Sequence, residues 1–417
     1  MLIMQIAAII IAARVIGRLF RAVGQPQVVG EMVAGLVLGP SVFGAVSPEL
    51  FGRVFPPDSL DTLNALSQVG LLLFMFMIGL ELDTQLLRGR TRAALLISQA
   101  GIAVPFVLGL VLANRLHDVF APPGVGRLGF SLFMGIAMSI TAFPVLARIL
   151  RERNLLGTKL GAATLASAAV DDVMAWTGLA IIIMVVRAGG QSVSIPVMVG
   201  GTLAFVVFMV ALVRPLLRRW SVRWRETPSQ DVIAVMLVLA LISAWITETL
   251  GIHALFGAFL AGAVVPAHQP IVQETIRKLE DLVVVFLVPL FFAFAGLRAS
   301  LGLLSGAEQW SYTLIIIVVA IAGKLGGCGL AARISGMPWR EATALGVLMN
   351  TRGLMELVVL NIGLDIGVIG PDLYTMMVIM AIVTTFLTTP LLAAIGMLPK
   401  RLAVESPGSR PQSRVTQ

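Results

Sequence analysis

The stretch Leu165–Leu179, LASAAVDDVMAWTGL, decides the fold because it places two adjacent carboxylates, Asp171 and Asp172, inside an apolar segment. An aspartate at the centre of a membrane-spanning helix costs about 2.5 to 3.5 kcal/mol on insertion scales. Ionisable residues inside spans are therefore rare, and they mark ion or proton pathways. We predict that this pair is the chemical centre of an integral membrane protein.

The composition of the whole chain supports a membrane protein. Of 417 residues, 58% are hydrophobic and 12% are charged, whereas ordinary soluble domains have about 25% charged residues. The apolar runs are continuous, and a membrane β-barrel would instead need alternating segments of about ten residues. The composition therefore predicts an all-α polytopic membrane protein.

Thirteen apolar segments follow one another along the chain, most of them near the roughly 20 residues that a membrane span needs. They cover residues 2–20, 27–45, 62–80, 93–114, 128–147, 160–186, 194–216, 231–249, 252–266, 281–297, 310–332, 341–364 and 373–397. We number them as predicted spans 1 to 13, and no stretch is left over for a soluble domain.

The basic residues predict the orientation of these spans. Of the 30 Lys and Arg residues, 23 fall on one side of the predicted membrane and five on the other, with Lys324 and Arg352 inside spans. The positive-inside rule assigns the richer side to the cytoplasm. This places the N-terminus outside and the C-terminus in the cytoplasm. The net charge of +8 therefore indicates a membrane protein rather than binding to nucleic acid.

Several functional classes lack their sequence signals. The single cysteine, Cys328, rules out a disulfide framework, and the spacing of His117, His253 and His268 does not indicate a metal site. No Gly-rich phosphate loop suggests a nucleotide-driven pump. We expect a protein that is not an enzyme and that needs no cofactor.

An internal repeat constrains the architecture. GQPQVVGEMVAG (24–35) recurs as GIHALFGAFLAG (251–262), and LFMFMIGLELD (73–83) recurs as LFFAFAGLRAS (290–300). Spans 2 and 3 therefore match spans 9 and 10, and a shift by seven spans inverts the second copy in the membrane. Inverted repeats of spans 1–6 and 8–13 are typical of transporters, whose substrate sites lie near the bilayer midplane.

The repeat also divides the chain into four predicted units. Residues 1–190 form the first repeat and residues 229–398 the second. Residues 191–228 supply span 7 as a connector with a basic loop, and residues 399–417 form a polar tail. We expect the tail to be disordered and to contain no ligand-gating domain.

Span 5 contains a predicted break. In GIAMSITAFPVLARIL (135–150), Pro144 lacks a backbone donor and disfavours helical geometry at Phe143. We expect the carbonyls around Ser139 and Thr141 to be released from helical hydrogen bonds. Free carbonyls and hydroxyls at the midplane are suitable ligands for an ion.

Span 12 is the repeat partner of span 5, and it carries Asn350, Thr351, Arg352 and Gly353 at the matching depth in GVLMNTRGLMELVV (346–359). Two interrupted helices at corresponding positions are the best sequence indication of a transporter site. We predict that spans 5 and 12 cross there as broken helices. Arg352 and Glu356, four residues apart, can neutralise each other and support the crossover.

The aspartates indicate the chemistry. Neighbouring residues on a helix point about 100° apart, so Asp171 and Asp172 can share one cavity and face different partners. A second carboxylate and partial desolvation favour a bound proton, whereas a nearby cation favours the ionised form. Such a site holds either a proton or a metal cation, which is sufficient for exchange. Lys324, beside glycines 323, 326, 327 and 329, is the predicted partner of Asp171.

Taken together, these motifs resemble those of the monovalent cation:proton antiporters. The similarity includes SITAFPVLARIL (139–150), the Asp171–Asp172 pair, the lysine before a glycine-rich run, and WREATALGVLMNTRGLMELVVLNIGL (339–364). It is greatest to the branch that holds bacterial sodium/proton and potassium/proton antiporters and plant cation/proton exchangers, and it covers essentially the whole chain.

The resemblance implies a scaffold of spans 1–3 and 8–10, which usually forms the contact of a homodimer, and a mobile core of spans 4–6 and 11–13. It implies that Asp172 is the carboxylate that binds Na⁺ or K⁺ and protons, and that Asp171 pairs with Lys324. Together with Asp171 and Asp172, Ser139 and Thr141 are the predicted ion ligands. A paired aspartate with a lysine goes with electrogenic exchange, which would serve pH homeostasis at a bacterial inner membrane.

Two other functional classes use carboxylates in a membrane. An intramembrane aspartyl protease takes its two aspartates from facing helices, whereas both lie side by side here. A cation channel, or a potassium-efflux protein without strict proton coupling, is the alternative to an antiporter. Inverted broken helices and a buried lysine favour alternating access, and flux coupled to an opposing proton gradient would distinguish the two.

Overall fold

The computed structural model describes residues 1–81, 91–155, 158–187, 195–223, 229–250, 253–266 and 270–397. Within these ranges the regular secondary structure is entirely helical. The predicted tail, residues 399–417, lies outside the described residues, as do the predicted unit boundaries at residues 190/191 and 398/399. The division into two repeats and a connector stays a prediction.

Nineteen α-helices follow one another in the described part of the chain. They are α1 (Leu2–Ala22), α2 (Gln27–Leu38), α3 (Phe43–Val46), α4 (Pro48–Val54), α5 (Pro57–Glu81), α6 (Thr91–Phe120), α7 (Arg127–Ser139), α8 (Phe143–Glu152), α9 (Lys159–Arg187), α10 (Ile195–Phe208), α11 (Arg214–Trp220), α12 (Ser229–Thr249), α13 (Ala254–Val264), α14 (Pro270–Leu282), α15 (Val288–Arg298), α16 (Ala307–Ile334), α17 (Trp339–Met349), α18 (Leu354–Asp365) and α19 (Pro371–Ala394). Wider helical turns, Met209–Val213 and Val283–Leu287, join α10 to α11 and α14 to α15.

Many of these helices are suited to a lipid environment. Within the described part of the chain, 10 helices are long and apolar enough to cross a membrane, or 11 when the bent pair α17–α18 counts as one span. Two shorter apolar helices, Arg127–Ser139 and Ala254–Val264, lie in predicted spans 5 and 9. The protein is therefore a polytopic α-helical membrane protein, while the count of 13 and the orientation stay predictions.

The helices pack into two bundles. One bundle, which we call the scaffold, contains α1, α2, α5, α12, α13 and α15, and the other, which we call the core, contains α6 to α9 and α16 to α19. Packing within each bundle is dense, whereas α15 with α18 and α2 with α19 are among the few contacts between the bundles. Such a sparse boundary suits the movement of one bundle against the other.

Close glycine contacts in the scaffold match the predicted repeat. A Cβ atom on Gly35 would collide with the backbone of α15 at Phe292, and one on Gly296 would collide with Gly35. In the same way, Gly262 of α13 packs against Gly79 of α5. Because Gly35 corresponds to Gly262 and Gly79 to Gly296 in the repeat, the two crossings, α2 with α15 and α13 with α5, are equivalent. Small residues allow both pairs of backbones to approach closely.

Both predicted breaks are present, and one differs in detail. The helix in span 5 stops at Ser139, continues as extended chain, and restarts at Phe143 as α8. The sequence predicted non-helical geometry at Phe143, which is wrong because Pro144 occupies the first turn of α8, where a missing N–H has no cost. The second break separates α17 from α18 at residues 350–353, with a bend of 43°.

Candidate ion-binding site

The two aspartates lie in the middle of α9, which is continuous from Lys159 to Arg187. Small residues precede them in the sequence GAATLASAA (161–169), which lets α9 pack against α6, α7, α8 and α17 in the core. Asp171 and Asp172 are 0% and 2% exposed. The fold therefore accepts the cost of burying two adjacent carboxylates, and the surrounding groups must compensate it.

Asp171 is held by a network of three partners. Its Oδ2 atom accepts hydrogen bonds from the Thr141 hydroxyl at 2.6 Å and from Lys324 Nζ at 2.8 Å. Lys324 Nζ also donates to Thr141 Oγ1 at 2.7 Å, and Ser98 Oγ lies 3.4 Å from Asp171 Oδ1. The ion pair that the sequence predicts is present, and the chain break between α7 and α8 supplies the hydroxyl that joins it.

Lys324 reaches this depth because α16 approaches α6 closely. It is 0% exposed, so its ammonium cannot reach the membrane surface. A Cβ atom on Gly323 would lie 2.9 Å from Cα of Pro105, and one on Gly327 would lie 2.6 Å from the carbonyl oxygen of Ala100. The glycine-rich run thus sets the distance between the helices that carry Lys324 and Ser98.

Asp172 differs from its neighbour because neither of its carboxylate oxygens has a hydrogen-bond partner among the described residues. It borders a small cavity of about 10 Å³ lined by apolar side chains, including Trp176 and Met355. That volume is close to the space of one water molecule. Asp171, Lys324 and the backbone N–H of Phe143 at the start of α8 all act on Asp172 electrostatically. The carboxylate is therefore placed to bind one small species, either a proton or a cation.

The two broken helices cross beside the aspartates, and a backbone hydrogen bond joins them. The N–H of Ala142 donates to the carbonyl of Thr351 at 3.0 Å, and Thr141 Oγ1, whose hydroxyl proton is directed to Asp171, lies 3.0 Å from the carbonyl oxygen of Met349. The N–H of Ala142 in the break of span 5 thus satisfies a carbonyl in the break of span 12. This mutual arrangement keeps non-helical backbone at membrane depth away from lipid.

Arg352 stabilises the crossing by capping the C-terminal end of α7. Its guanidinium donates to the carbonyls of Ala137 at 2.9 Å and Met138 at 2.6 Å, and to Glu356 Oε2 at 2.7 Å. These carbonyls belong to the last turn of α7, where they have no helical donor and where the helix dipole is negative. Arg352 and Glu356 are both 0% exposed, so the pair is a buried cap for α7.

The remaining predicted residues lie around the crossing with different partners. Ser139 Oγ donates to the carbonyl of Gly135 at 2.7 Å, lies 3.1 Å from the carbonyl oxygen of Ile102, and makes no hydrogen bond to either aspartate. Asn350 Oδ1 and Thr351 Oγ1 are buried without a hydrogen-bond partner among the described residues. The backbone of Pro144 lies at the start of α8. Of the two predicted hydroxyl ligands, the structure therefore brings Thr141 to Asp171 and leaves Ser139 bonded to backbone carbonyls.

The charges of this buried group nearly cancel. Three carboxylates, Asp171, Asp172 and Glu356, and two bases, Lys324 and Arg352, are all almost completely buried. When all five are ionised the net charge is −1. While Lys324 is protonated, one proton or one monovalent cation at Asp172 makes the group neutral, which lowers the cost of moving it relative to the surrounding protein.

A crevice separates scaffold from core on one side of the protein. It has a volume of about 390 Å³, and it is lined by residues of α2, α5, α8, α14 and α15, among them Glu31, Glu81, Arg148 and Arg151. Glu31, 3% exposed, lies 3.6 Å from Arg148. Most of these charged residues lie next to the basic loops that the sequence assigns to the cytoplasm. Leu354, the first residue of α18, also lines the crevice, which therefore extends to the crossing.

Sequence reasoning missed two residues that contribute to the site. Ser98 contacts Asp171, and Thr385 of α19 accepts from the N–H of Arg352 at 2.9 Å and donates to its carbonyl at 2.8 Å. Both are single hydroxyls in apolar spans, which commonly bond to their own helix. No local pattern distinguishes these two, because their partners lie on other helices.

Comparison with known proteins is consistent with this geometry. The family model described as sodium/hydrogen exchanger, transmembrane, matches residues 7–397. The chain is 44% identical over 400 residues to the Na⁺/H⁺ antiporter NhaS4 of Synechocystis, covering 95% of this chain and 97% of that protein. It is 37% identical over 396 residues to the K⁺/H⁺ antiporter 1 of Saccharomyces cerevisiae, covering 93% of this chain and 45% of that protein.

The fold has a counterpart among solved structures. The structure of the sodium proton antiporter MjNhaP1 of Methanocaldococcus jannaschii superimposes with a TM-score of 0.68 at 14% identity, covering 95% of this chain and 97% of that chain. This similarity concerns the fold alone. The family match over nearly the whole length and the sequence identity to NhaS4 establish the relationship. The chain belongs to the sodium/hydrogen exchanger family of cation/proton antiporters.

Proposed function

We propose that this protein exchanges a monovalent cation for protons by alternating access, with Na⁺ as the first candidate and K⁺ as the second, and with more than one proton per cation. The relatives include a Na⁺/H⁺ antiporter and a K⁺/H⁺ antiporter, so family membership leaves the ion open. We favour Na⁺ because NhaS4, a relative at 44% identity that matches over nearly its full length, is a Na⁺/H⁺ antiporter.

The observation that carries the proposal is the state of Asp172. A buried carboxylate with two unpartnered oxygens, beside a cavity the size of one water molecule, must be neutralised by something that enters. A proton and a small cation both do so, and each excludes the other because a second positive charge would be unfavourable. Competition for Asp172 couples the two fluxes without further machinery.

We assign the second proton exchanged per cation to the group formed by Asp171, Lys324 and Thr141. Lys324 is fully buried, and its ammonium contacts Asp171 at 2.8 Å. A cation at Asp172 repels the ammonium and competes for Asp171, so Lys324 can release a proton as the cation binds. When the cation leaves, Asp171 attracts the proton back to Lys324. Exchange of two protons for one cation is electrogenic.

We assign supporting roles to the crossover residues. Arg352 and Glu356 cap α7, while Asn350 and Thr351 offer unpartnered oxygens near the break. Pro144 lies in the first turn of α8, where it favours the restart of the helix after the extended chain of span 5. These residues keep the crossing rigid while the core moves as one body.

The proposed transport cycle moves the core against the scaffold. In the orientation that the basic loops predict, the crevice opens to the cytoplasm, and we propose that the present arrangement is an inward-facing state. Exposed apolar side chains along α1, including Ile3, Ile11 and Leu19, suit lipid or the scaffold of a second copy. We therefore propose a homodimer through spans 1–3 and 8–10, in a bacterial inner membrane, with a role in pH homeostasis.

Proteoliposomes with a trapped pH indicator test the proposal. Addition of Na⁺, Li⁺ or K⁺ to the wild type should move protons in the opposite direction, and an imposed membrane potential should change the rate if exchange is electrogenic. Asp172→Asn should abolish the proton signal. Asp58→Asn, at an exposed carboxylate at the start of α5, is the matched control and should transport normally.

Two outcomes would overturn the proposal. Full cation-dependent proton movement in Asp172→Asn would remove Asp172 from the mechanism. Cation flux in the wild type without proton counterflow would indicate a channel or an uncoupled efflux protein.

A further inference from the structure

On the face opposite the crevice, scaffold and core are in contact, and the guanidinium of Arg298 takes part in this contact. Arg298, the last residue of α15 in the scaffold, donates from Nη1 to Asn361 Oδ1 at 2.9 Å. Its Nη2 lies 2.6 Å from Asp365 Oδ1. Asn361 and Asp365 both belong to α18 of the core. The Arg298 side chain of the scaffold therefore contacts two core residues at this end.

Two further hydrogen bonds cross the same boundary. The Tyr374 hydroxyl of α19 donates to the carbonyl of Ala295 at 2.9 Å, and the N–H of Ser300 donates to Thr375 Oγ1 at 3.1 Å. Tyr374 and Thr375 are 0% exposed. Water therefore has no access to this part of the boundary, and the bonds must break before the bundles can separate here.

On the crevice face, the scaffold carries an acid and the core carries a base near the positions that the internal repeat relates to Arg298 and Asp365. These two residues are not in contact. Glu81 ends α5 in the scaffold and Arg151 lies near the end of α8 in the core, and both line the crevice. They attract each other electrostatically, but the structure contains no ion pair within 4.0 Å between these two described residues. The neighbouring Glu31–Arg148 contact is 3.6 Å long and lacks a hydrogen bond.

The internal repeat relates the two charge pairs. Glu81 in LFMFMIGLELD and Arg298 in LFFAFAGLRAS occupy the same motif position at opposite ends of the scaffold. In the alignment of spans 5 and 12, Arg151 corresponds to Ile362, and Asp365 lies one helical turn beyond Ile362. Each scaffold charge thus faces an opposite charge on the core, and the signs are exchanged between the two faces.

We propose that Arg298 and Asp365 form a clasp that stabilises the present state, and that Glu81 and Arg151 form the matching clasp of the opposite state. In an inverted repeat, one half takes the conformation of the other when the access side changes. Closing the crevice would bring Glu81 to Arg151 while Arg298 leaves Asp365. This inference rests on the proposed alternating-access function and assigns four residues to the balance between its two states.

A thiol reporter can measure this balance without transport. Thr375→Cys in a Cys328→Ala background places the only thiol at the closed boundary, with a near-isosteric change. In purified protein in lipid nanodiscs, its labelling rate by a maleimide is proportional to the fraction of molecules open on that face. The side chains of Arg298 and Asp365 are 23% and 44% exposed, so solvent screens the pair. Loss of it by Arg298→Ala should raise the rate about threefold.

The remaining variants separate a change of state from local loosening. Glu81→Ala, at the other end of the scaffold, should lower the labelling rate of Thr375→Cys about threefold, since only a change of global state connects the two positions. The charge exchange Arg298→Asp with Asp365→Arg should return the rate toward that of the parent. Arg127→Ala is the matched control, because it removes a 2.7 Å ion pair with Asp118 that lies within the core.

Two results would overturn the clasp. Equal labelling in the parent, Arg298→Ala and Glu81→Ala proteins, each eluting as folded protein from size exclusion, would show that these charges do not set the balance. A rise in both variants would show only local loosening. Neither result bears on the proposed function, which proton-coupled transport in proteoliposomes tests separately. Loss of proton coupling in the wild type would refute the proposed function and would leave the labelling result as it stands.

Discussion

Replacing Arg352 by methionine tests how the two broken helices are held together. The change keeps the side-chain volume and removes three hydrogen bonds: to the carbonyls of Ala137 and Met138, and to Glu356. Glu356 then remains as a fully buried carboxylate without its cation. Removing one partner of a buried ion pair costs about 3 to 5 kcal/mol, and each orphaned carbonyl adds about 1 to 3 kcal/mol.

The expected loss of unfolding free energy is therefore about 5 kcal/mol or more. With an unfolding entropy of about 2.1 cal/mol/K per residue, a chain of this length loses about 1 °C of Tm per kcal/mol. Helices that persist in detergent lower the unfolding entropy, so about 5 °C is the smallest shift we expect. Tryptophan fluorescence during heating of the purified protein measures it.

A double variant separates the free-energy cost of the unpaired Glu356 carboxylate from the cost of the unpaired carbonyls. Arg352→Met with Glu356→Met leaves no uncompensated buried charge and should recover about 3 kcal/mol, or about 3 °C. Arg127→Met, which removes an exposed ion pair, should change Tm by less than about 1 °C. A Tm for Arg352→Met within 1 °C of the wild type, or a double variant no more stable than the single one, would refute the capping role.

Three further predictions follow from the contacts. Thr141→Val, which deletes the hydroxyl shared by Asp171 and Lys324, should weaken cation affinity about tenfold in proteoliposome titrations; unchanged affinity would contradict its role. Lys324→Ala should leave residual exchange that no longer responds to membrane potential, and retained voltage sensitivity would exclude it as a proton carrier. Gly35→Ala, which collides with α15, should lower Tm by several degrees relative to Gly52→Ala, which meets nothing within 4 Å; equal Tm values would contradict the close crossing.

The arrangement along the chain could be predicted from the sequence because it depends on local patterns. Continuous apolar runs indicated the spans, and the repeat located the second break from the first. The adjacent aspartates indicated where the structure places its buried charged groups, and Lys324 needed a buried acid as its partner. In each case the cost of a polar group in a membrane leaves few solutions.

The detailed contacts could not be predicted because they join residues far apart in the sequence. The sequence indicated that Arg352 neutralises Glu356, but its bonds to Ala137 and Met138 depend on how α7 ends against α18. Ser139 was predicted as an ion ligand from the released carbonyls, yet its hydroxyl returns to Gly135 on its own helix. Such local bonds compete with tertiary ones, and spacing alone does not show which is formed.

The central claim is that a proton and a cation compete for Asp172. The most direct measurement is the dissociation constant of Na⁺, or of K⁺ if that ion is transported, for the purified protein across a range of pH by isothermal titration calorimetry. We expect the dissociation constant to rise about tenfold for each unit of falling pH where the cation displaces only the proton of Asp172, and about a hundredfold where Lys324 also releases a proton, and we expect Asp172→Asn to abolish binding. A dissociation constant that does not change with pH, or undiminished binding by Asp172→Asn, would contradict it.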